Sequence, residues 1–187
     1  MNAFPFPDLE TERLTLRQMA PADAAAVLRI FGDPKVTQYY DLEPLRSLDK
    51  ALALIERQAE RFELGTGIRW GIATKSAGDL IGTCGFHLFS PGYRAGIGYE
   101  LAQAYWRQGF MTEALRAMFR YGFHIRELHR LEALVMPGNM PSRRLLTKLG
   151  FTNEGLLREY AFFRGAFHDL FCFSLLSHEY AGDRSWM

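Results

Sequence analysis

The stretch GIGYELAQAYWRQGFMTEAL, residues 96–115, constrains the fold more than any other part of the chain. Its opening alternates: Ile97, Tyr99 and Leu101 share one face of a strand, and Gly96, Gly98 and Glu100 share the other. Directly after it, Arg107-Gln108-Gly109-Phe110-Met111-Thr112 opens a helix whose apolar face carries Met111, Ala114, Leu115, Met118 and Ile125. Two glycines beside a carboxylate leave a shallow strand surface that a ligand or another backbone can approach closely. The helix start offers free N–H groups and the positive end of the helix dipole, and Gly109 lets an anion such as phosphate reach the backbone. Taken alone, the same residues are also an ordinary strand–turn–helix with a turn glycine.

The flanking sequence repeats this alternation at short range, which predicts a mixed α/β domain. ERLTLRQM (12–19) alternates as a half-buried strand, and PADAAAVLRIFGD follows with Pro21 placed to open a helix and Gly32 to close it. From Ser47, Leu48, Ala51, Leu52, Ile55, Ala59 and Phe62 keep helical spacing until Gly65. IRWGIAT, DLIGTCGFHLF and YRAGIGYEL then make three strands, the first two joined by a turn at SAGD (76–79). RLEALVM (130–136) is a short strand, and the helix after it has Pro141 in its first turn and Gly150 at its cap. LLREYAFFRGAFHDLFCFSLL (156–176) folds back around Arg164-Gly165 as a long hairpin. The expected order is β-α-α-β-β-β-α-β-α-β-β in one domain spanning 1–187, with its core at about 9–180.

Twenty-two basic against 21 acidic side chains leave a net charge of +1, so nucleic-acid binding lacks its electrostatic driver. No apolar run reaches the roughly 18 residues of a membrane span, and MNAFPFPDLE has no export-signal pattern, so a cytoplasmic protein is expected. Cys84 and Cys172, far apart in apolar strands, are expected as two buried thiols rather than a disulfide. His124, His129 and His178 share no ligand spacing, so no metal site is expected.

A second constellation, PGNMPSRRLLTKLGF (137–151), sets Asn139 and Ser142 between a strand end and a helix. Alone it is a helix start with a glycine cap. Together, in this order, GYEL…YWRQGFMTEAL and NMPSRRLLTKLGF resemble the GNAT acyltransferase superfamily. LETERLTLRQM, WGIAT…LIGTCGF and GAFHDLFCFSLL extend the resemblance over nearly the whole chain, toward the RimJ/RimL-type ribosomal-protein N-acetyltransferases. Two positions depart from the family pattern: Trp106 stands where Gln or Arg is frequent, and Met111 where Gly or Ala is commonest. Neither removes the loop N–H groups on which phosphate binding depends.

The resemblance implies a mostly antiparallel sheet splayed at an acyl-CoA site and flanked by about four helices. It implies acetyl transfer from acetyl-CoA, as co-substrate and without a metal, to a primary amine by direct attack in a ternary complex. The acceptor it points to is the N-terminal α-amine of a ribosomal or other protein; a homodimer is compatible with it, and neither nucleic acid nor membrane is a partner. Arg107, Gln108, Gly109, Phe110, Met111 and Thr112 would hold the pyrophosphate. The edge at Glu100, Leu101, Ala102 and Gln103 would pair with the pantetheine arm, with a backbone N–H near Leu101 facing the developing oxyanion. Glu100 would act as base, directly or through water, Ser142 would bond the departing sulfur, and Asn139 would orient the pantetheine or a water. Tyr39, Phe86 and His87, with Tyr40 and Trp70, would wall the acceptor cleft.

Other polar residues have plainer readings. Glu113 complements the dipole of its own helix, and Asp169, after the final turn, is structural. Two rival functions stay open at this level: acetylation of a small amine (a polyamine, amino sugar or amino acid), or acyl-CoA binding by a regulatory module without catalysis.

Overall fold

The computed structural model describes residues 5–180. Residues 1–4, the start of the segment in which no export signal is expected, and 181–187, the end of the expected domain, lie outside the described residues. Strands β1 (Leu9–Glu10) and β2 (Leu14–Arg17) lead into helices α1 (Ala24–Phe31) and α2 (Leu48–Glu63). The meander β3 (Ile68–Thr74), β4 (Leu80–Ser90) and β5 (Arg94–Leu101) follows, then α3 (Phe110–Arg120), β6 (Arg130–Val135) and α4 (Met140–Lys148). The hairpin of β7 (Thr152–Phe163) and β8 (Ala166–Leu176) completes the fold. This is the expected alternation with one two-residue strand, β1, in front of it.

Local chemistry accounts for the boundaries. The Ser47 hydroxyl accepts the Lys50 N–H and caps α2. Gly150 turns out of α4 at φ 91°, in the left-handed region only glycine enters cheaply. Arg164 and Gly165, at φ 50° and 75°, make the tight turn between β7 and β8.

The eight strands form one sheet in the order β1-β2-β3-β4-β5-β6-β8-β7. Every neighbouring pair is antiparallel except β5 and β6. That parallel pairing holds for three residues only, Arg94 with Arg130, Ala95 with Leu131 and Gly96 with Glu132, and then the strands part. On one face α3 and α4 cover a core that includes the fully buried Leu16, Trp70, Ile72, Leu115, Met118 and Phe119. On the other, α1 and α2 bring Val27, Ile30, Leu54 and Ile55 onto Met19 and Leu80.

Three expectations need adjustment. Trp70 is no cleft wall: it is fully buried and its indole N–H donates to the Pro7 carbonyl at 2.7 Å. Ile125 leaves the apolar face of α3 because the helix widens over residues 121–125, where Arg126 N–H bonds Tyr121 five residues back; Ile125 is left 55% exposed. Cys84 is buried as expected, but Cys172 is half-buried; both are free. Among the described residues, no helix is long and apolar enough to cross a membrane.

The edge of the sheet is tied by charge. Arg130 on β6 donates to both Glu154 carboxylate oxygens at 2.8 and 2.7 Å and to Glu132 at 2.7 Å, and the Ser174 hydroxyl also donates to Glu154. Hydrogen bonding from Arg130, then from Ser174, holds the Glu154 carboxyl down at about 2, below its ordinary 4.5. Its contribution to stability is therefore complete above pH 4.5 and fades as pH falls toward 2. Thermal melting of wild type and Glu154→Gln should show a gap on the order of 2–4 °C at neutral pH, about 1 kcal/mol in a chain of this size. The gap should close as the pH falls through that interval; one that is constant with pH would show that the network's charge contributes nothing.

Candidate active site

The glycine face of β5 is filled from within. Arg69 on β3 faces Gly85 on β4, which in turn faces Gly98 on β5. A Cβ on Gly85 would stand 2.8 Å from Arg69 Cδ, and one on Gly98 3.0 Å from Arg69 Nη1. The two glycines thus form a channel along which the Arg69 side chain crosses β4 and β5 to reach Glu100. Gly96 does the same for His87, whose Nε2 lies 2.5 Å from where a Cβ would be. The surface expected to receive a ligand instead receives the chain's own Arg69 and His87.

Arg69 forms a short ion pair with Glu100 Oε2, which also accepts the Thr83 hydroxyl at 2.6 Å. The side chains of Arg69 and Glu100 are 11% and 2% exposed. Burial alone would pull the Arg69 guanidinium toward deprotonation; the Glu100 charge reverses this and holds its pKa above the ordinary value. The second oxygen, Glu100 Oε1, is buried with no hydrogen-bond partner. Such an orphaned acceptor costs about 1–3 kcal/mol unless a water or a ligand donor meets it. Tyr40 faces the same carboxylate; burial first, and then Glu100, raise its phenol pKa far above neutrality.

Backbone direction is set by one bond. Ala102 N–H donates to Ile81 on β4 at 2.8 Å. Antiparallel alternation then turns the amides of Gly98 and Glu100 toward β4 and those of Ile97, Tyr99 and Leu101 toward β6. Because β6 has parted from β5 by this point, the Leu101 N–H faces the opening. The Leu101 carbonyl is closed off by the Trp106 indole N–H at 2.6 Å, which gives the unusual Trp106 a structural task.

At the far end of β5, Arg107 and Gly109 adopt φ 61° and 84°, and Gly109 stands at the N-terminal end of α3. The N–H groups of Phe110, Met111 and Thr112 in the first turn of α3 have no partner within the helix. The nearest atom to a Cβ on Gly109 would be Arg13 Nη2 at 3.4 Å. Arg13 holds this turn: it donates to the Gln108 carbonyl at 3.1 Å, pairs with Glu113 at 2.7 Å and stacks over the Phe110 ring at 4.2 Å. On the same face as α3, the Tyr99 hydroxyl lies 2.8 Å from Ser142 Oγ, and Asn139 Oδ1 accepts the Ser142 N–H at 3.2 Å. Burial pushes the Tyr99 phenol up to about 12, so it stays protonated.

Glu100 and Ser142 therefore flank β5 from opposite faces, with the free Leu101 N–H between them. On the Glu100 face lies an open cleft of about 1210 Å³, lined among others by Tyr39, Tyr40, Arg69, Thr83 and His87. An acyl group entering along the gap between β5 and β6 from the Gly109 side would lie between a carboxylate and a hydroxyl.

Residues 13–152 match the family model described as an acetyltransferase (GNAT) domain. The chain belongs to the GNAT acetyltransferase family. It is 41% identical over 172 residues to the uncharacterized N-acetyltransferase YoaA of Bacillus subtilis, covering 91% of this chain and 97% of that protein. It is 30% identical over 107 residues, 56% of this chain and 55% of the other, to the [ribosomal protein uS5]-alanine N-acetyltransferase of Escherichia coli. Its fold superposes on Mycobacterium smegmatis RimJ in complex with CoA-disulfide with a TM-score of 0.82, at 24% identity and covering 94% of this chain and 88% of that one. Members of the family use acetyl-CoA, and the parted strands, the free Leu101 amide and the uncapped α3 start of this acetyltransferase fit that co-substrate.

Several sequence-derived assignments change within the acetyltransferase. The Ala102 N–H is spent on β4, the Gln103 side chain donates to Asp33, and the Ile97 amide belongs to the last pairing with β6, so the amides left facing the gap are those of Tyr99 and Leu101. Gln108 turns its side chain back to the Ala104 carbonyl, and Met111 is buried, leaving their backbones to face the turn. Phe86, Tyr39 and His87 all line the cleft as expected, Phe86 from its floor, where it is 3% exposed and packed against Trp70 and Phe89. Glu113 is a latch for Thr11 and Arg13, and Asp169 pins the β7 bulge by accepting the Glu159 N–H at 2.7 Å.

Sequence reasoning missed Arg69, Thr83 and Tyr99. A charged Arg69 inside the apolar run IRWGIAT was the available signal, since a buried charge demands a partner. Tyr99 carried none beyond its place in the alternation. Among the described residues no group of three or more His, Cys, Asp or Glu is gathered as a metal ion would need.

Proposed function

We propose that this acetyltransferase is a cytoplasmic enzyme that acetylates the N-terminal α-amine of a protein, in the manner of the ribosomal-protein acetyltransferases. The observation that carries the reading is the buried Glu100 carboxylate beside the cleft, with Oε2 held by Arg69 and Thr83 and Oε1 left to the facing Tyr40 phenol and the cleft, across β5 from the Tyr99–Ser142 pair. The cleft volume of about 1210 Å³ exceeds the roughly 300–1,000 Å³ usual for small-molecule sites and suits a length of peptide.

Acetyl-CoA, when bound, supplies an acyl carbonyl activated by its thioester. The α3 start around Gly109 holds its pyrophosphate through backbone N–H groups, Arg107 to Thr112 contributing amides rather than side chains. The Leu101 N–H meets the charge that develops on the carbonyl oxygen. Glu100 Oε1 accepts the proton of the attacking amine, directly or through one water. An α-amine with pKa near 8 costs roughly 1.4 kcal/mol to deprotonate at neutral pH and a lysine near 10.4 roughly 4.6, so a carboxylate suffices for the former. On the other face Tyr99 donates to Ser142, freeing the Ser142 proton for the departing sulfur. Asn139 orients this residue by accepting its N–H and capping α4.

Free-CoA release with a panel of peptides and small amines tests the reading; turnover confined to small amines would overturn it. Ser142→Ala and Tyr99→Phe should each lower turnover about tenfold, the worth of one hydrogen bond, with the acetyl-CoA dissociation constant nearly unchanged. A weaker dissociation constant with unchanged turnover would make Ser142 a capping residue only.

A further inference from the structure

The cations around the acceptor cleft divide into two sets. Arg69 is neutralised by Glu100, Arg94 pairs with Glu132 at 3.7 Å, and Arg164 is held by the Thr37 and Leu42 carbonyls and by Glu43. Arg57 and Arg61 line the same cleft from one face of α2, four residues apart, and neither has an ion-pair partner among the described residues. Glu56 and Glu60 on the same helix form no ion pair with them, and neither does Asp41, the acidic side chain on the lining. Two free guanidinium groups on a concave wall are a receptor for carboxylates.

Their distance from the reacting centre says where that carboxylate belongs. α2 packs over β3, two strands from β5, or about 10 Å at the usual strand spacing. An amino acid's own carboxylate, next to its amine, would instead meet Arg69, whose charge Glu100 already satisfies. An extended peptide advances about 3.3–3.6 Å per residue, so a side chain two or three residues behind the amine spans the gap. His87 stands between the two ends as an uncharged group: desolvation first, then Arg69 and Arg61, push its imidazole below the ordinary value.

Resting on the proposed acetylation of protein N-termini, we infer that the acceptor is an acidic N-terminus, with an Asp or Glu at its second or third residue received by Arg57 and Arg61. The same wall disfavours polyamines, which would meet unpaired positive charge.

The test compares matched peptides that differ only in carrying Glu or Gln at positions two and three, with kcat/KM read by CoA release. Wild type should prefer the acidic peptide by about tenfold or more, and raising salt from about 0.1 M to about 1 M should shrink the preference as the screening length contracts. Arg57→Ala with Arg61→Ala should bring the two peptides to near parity, whereas the paired Lys substitutions should keep most of the preference. Equal use of both peptides by wild type, or a preference that survives the double Ala variant, overturns the inference while leaving N-terminal acetylation intact. Turnover of no peptide at all overturns the proposed function and this inference with it.

Discussion

Glu100→Gln should lower turnover at neutral pH by about 10²-fold or more, the usual worth of a general base, and should lower the melting temperature in the same variant. Both losses follow from the geometry. Oε1 is buried beside the cleft with its hydrogen-bonding capacity unspent, while Oε2 neutralises Arg69 in a site where the Glu100 side chain is 2% exposed. Removing one partner of a buried ion pair typically costs about 3–5 kcal/mol, roughly 10 °C or more in a chain of this length. A fall in stability therefore cannot separate a base from a brace. The double variant Arg69→Met, Glu100→Gln does so, because it also removes the stranded guanidinium. Stability should largely return and turnover should not. The turnover lost in Glu100→Gln should also shrink as pH rises toward the amine pKa, where more acceptor arrives neutral. Parallel pH profiles, or turnover that recovers together with stability, would rule out the base role.

The site was legible in the sequence wherever it depends on periodicity or on helix-end chemistry. Alternation along residues 96–101 sorted Glu100 and Tyr99 onto opposite faces, and the glycine before an amphipathic run located the α3 start. What could not be read was cross-strand register. That Gly85 and Gly98 face one another, and that both face Arg69, depends on how three strands slide past each other. Only that register turns two glycines from an open ledge into a channel for a side chain. Which amides along residues 100–103 face the gap could not be read for a related reason. Side-chain alternation gives the faces of a strand, but which neighbour its amides address is fixed by the single Ala102–Ile81 bond. Arg13 was invisible because its partners, Gln108 and Glu113, lie 95 and 100 residues away. Trp106, a departure from the family pattern, became intelligible once its indole was found on the Leu101 carbonyl.

Gly109 offers the sharpest test of the co-substrate site, because strain and charge can be separated there. At φ 84° any residue with a Cβ pays roughly 1–2 kcal/mol, least for Asn and Asp, which enter this region more readily. Gly109→Asn and Gly109→Asp share shape and strain and differ in one negative charge. A charge about 5 Å from a phosphate, at an effective dielectric of about 20, is worth about 3 kcal/mol. CoA should therefore bind the Asp variant about 10²-fold more weakly than the Asn variant, and the difference should narrow as salt is raised. Folding should tolerate both, since the space around a Cβ at 109 is open apart from Arg13 Nη2 at 3.4 Å, a cation able to meet the new carboxylate. Calorimetric titration with CoA beside melting curves makes the comparison. Equal affinity in the Asn and Asp variants would mean that the pyrophosphate lies elsewhere than over the start of α3.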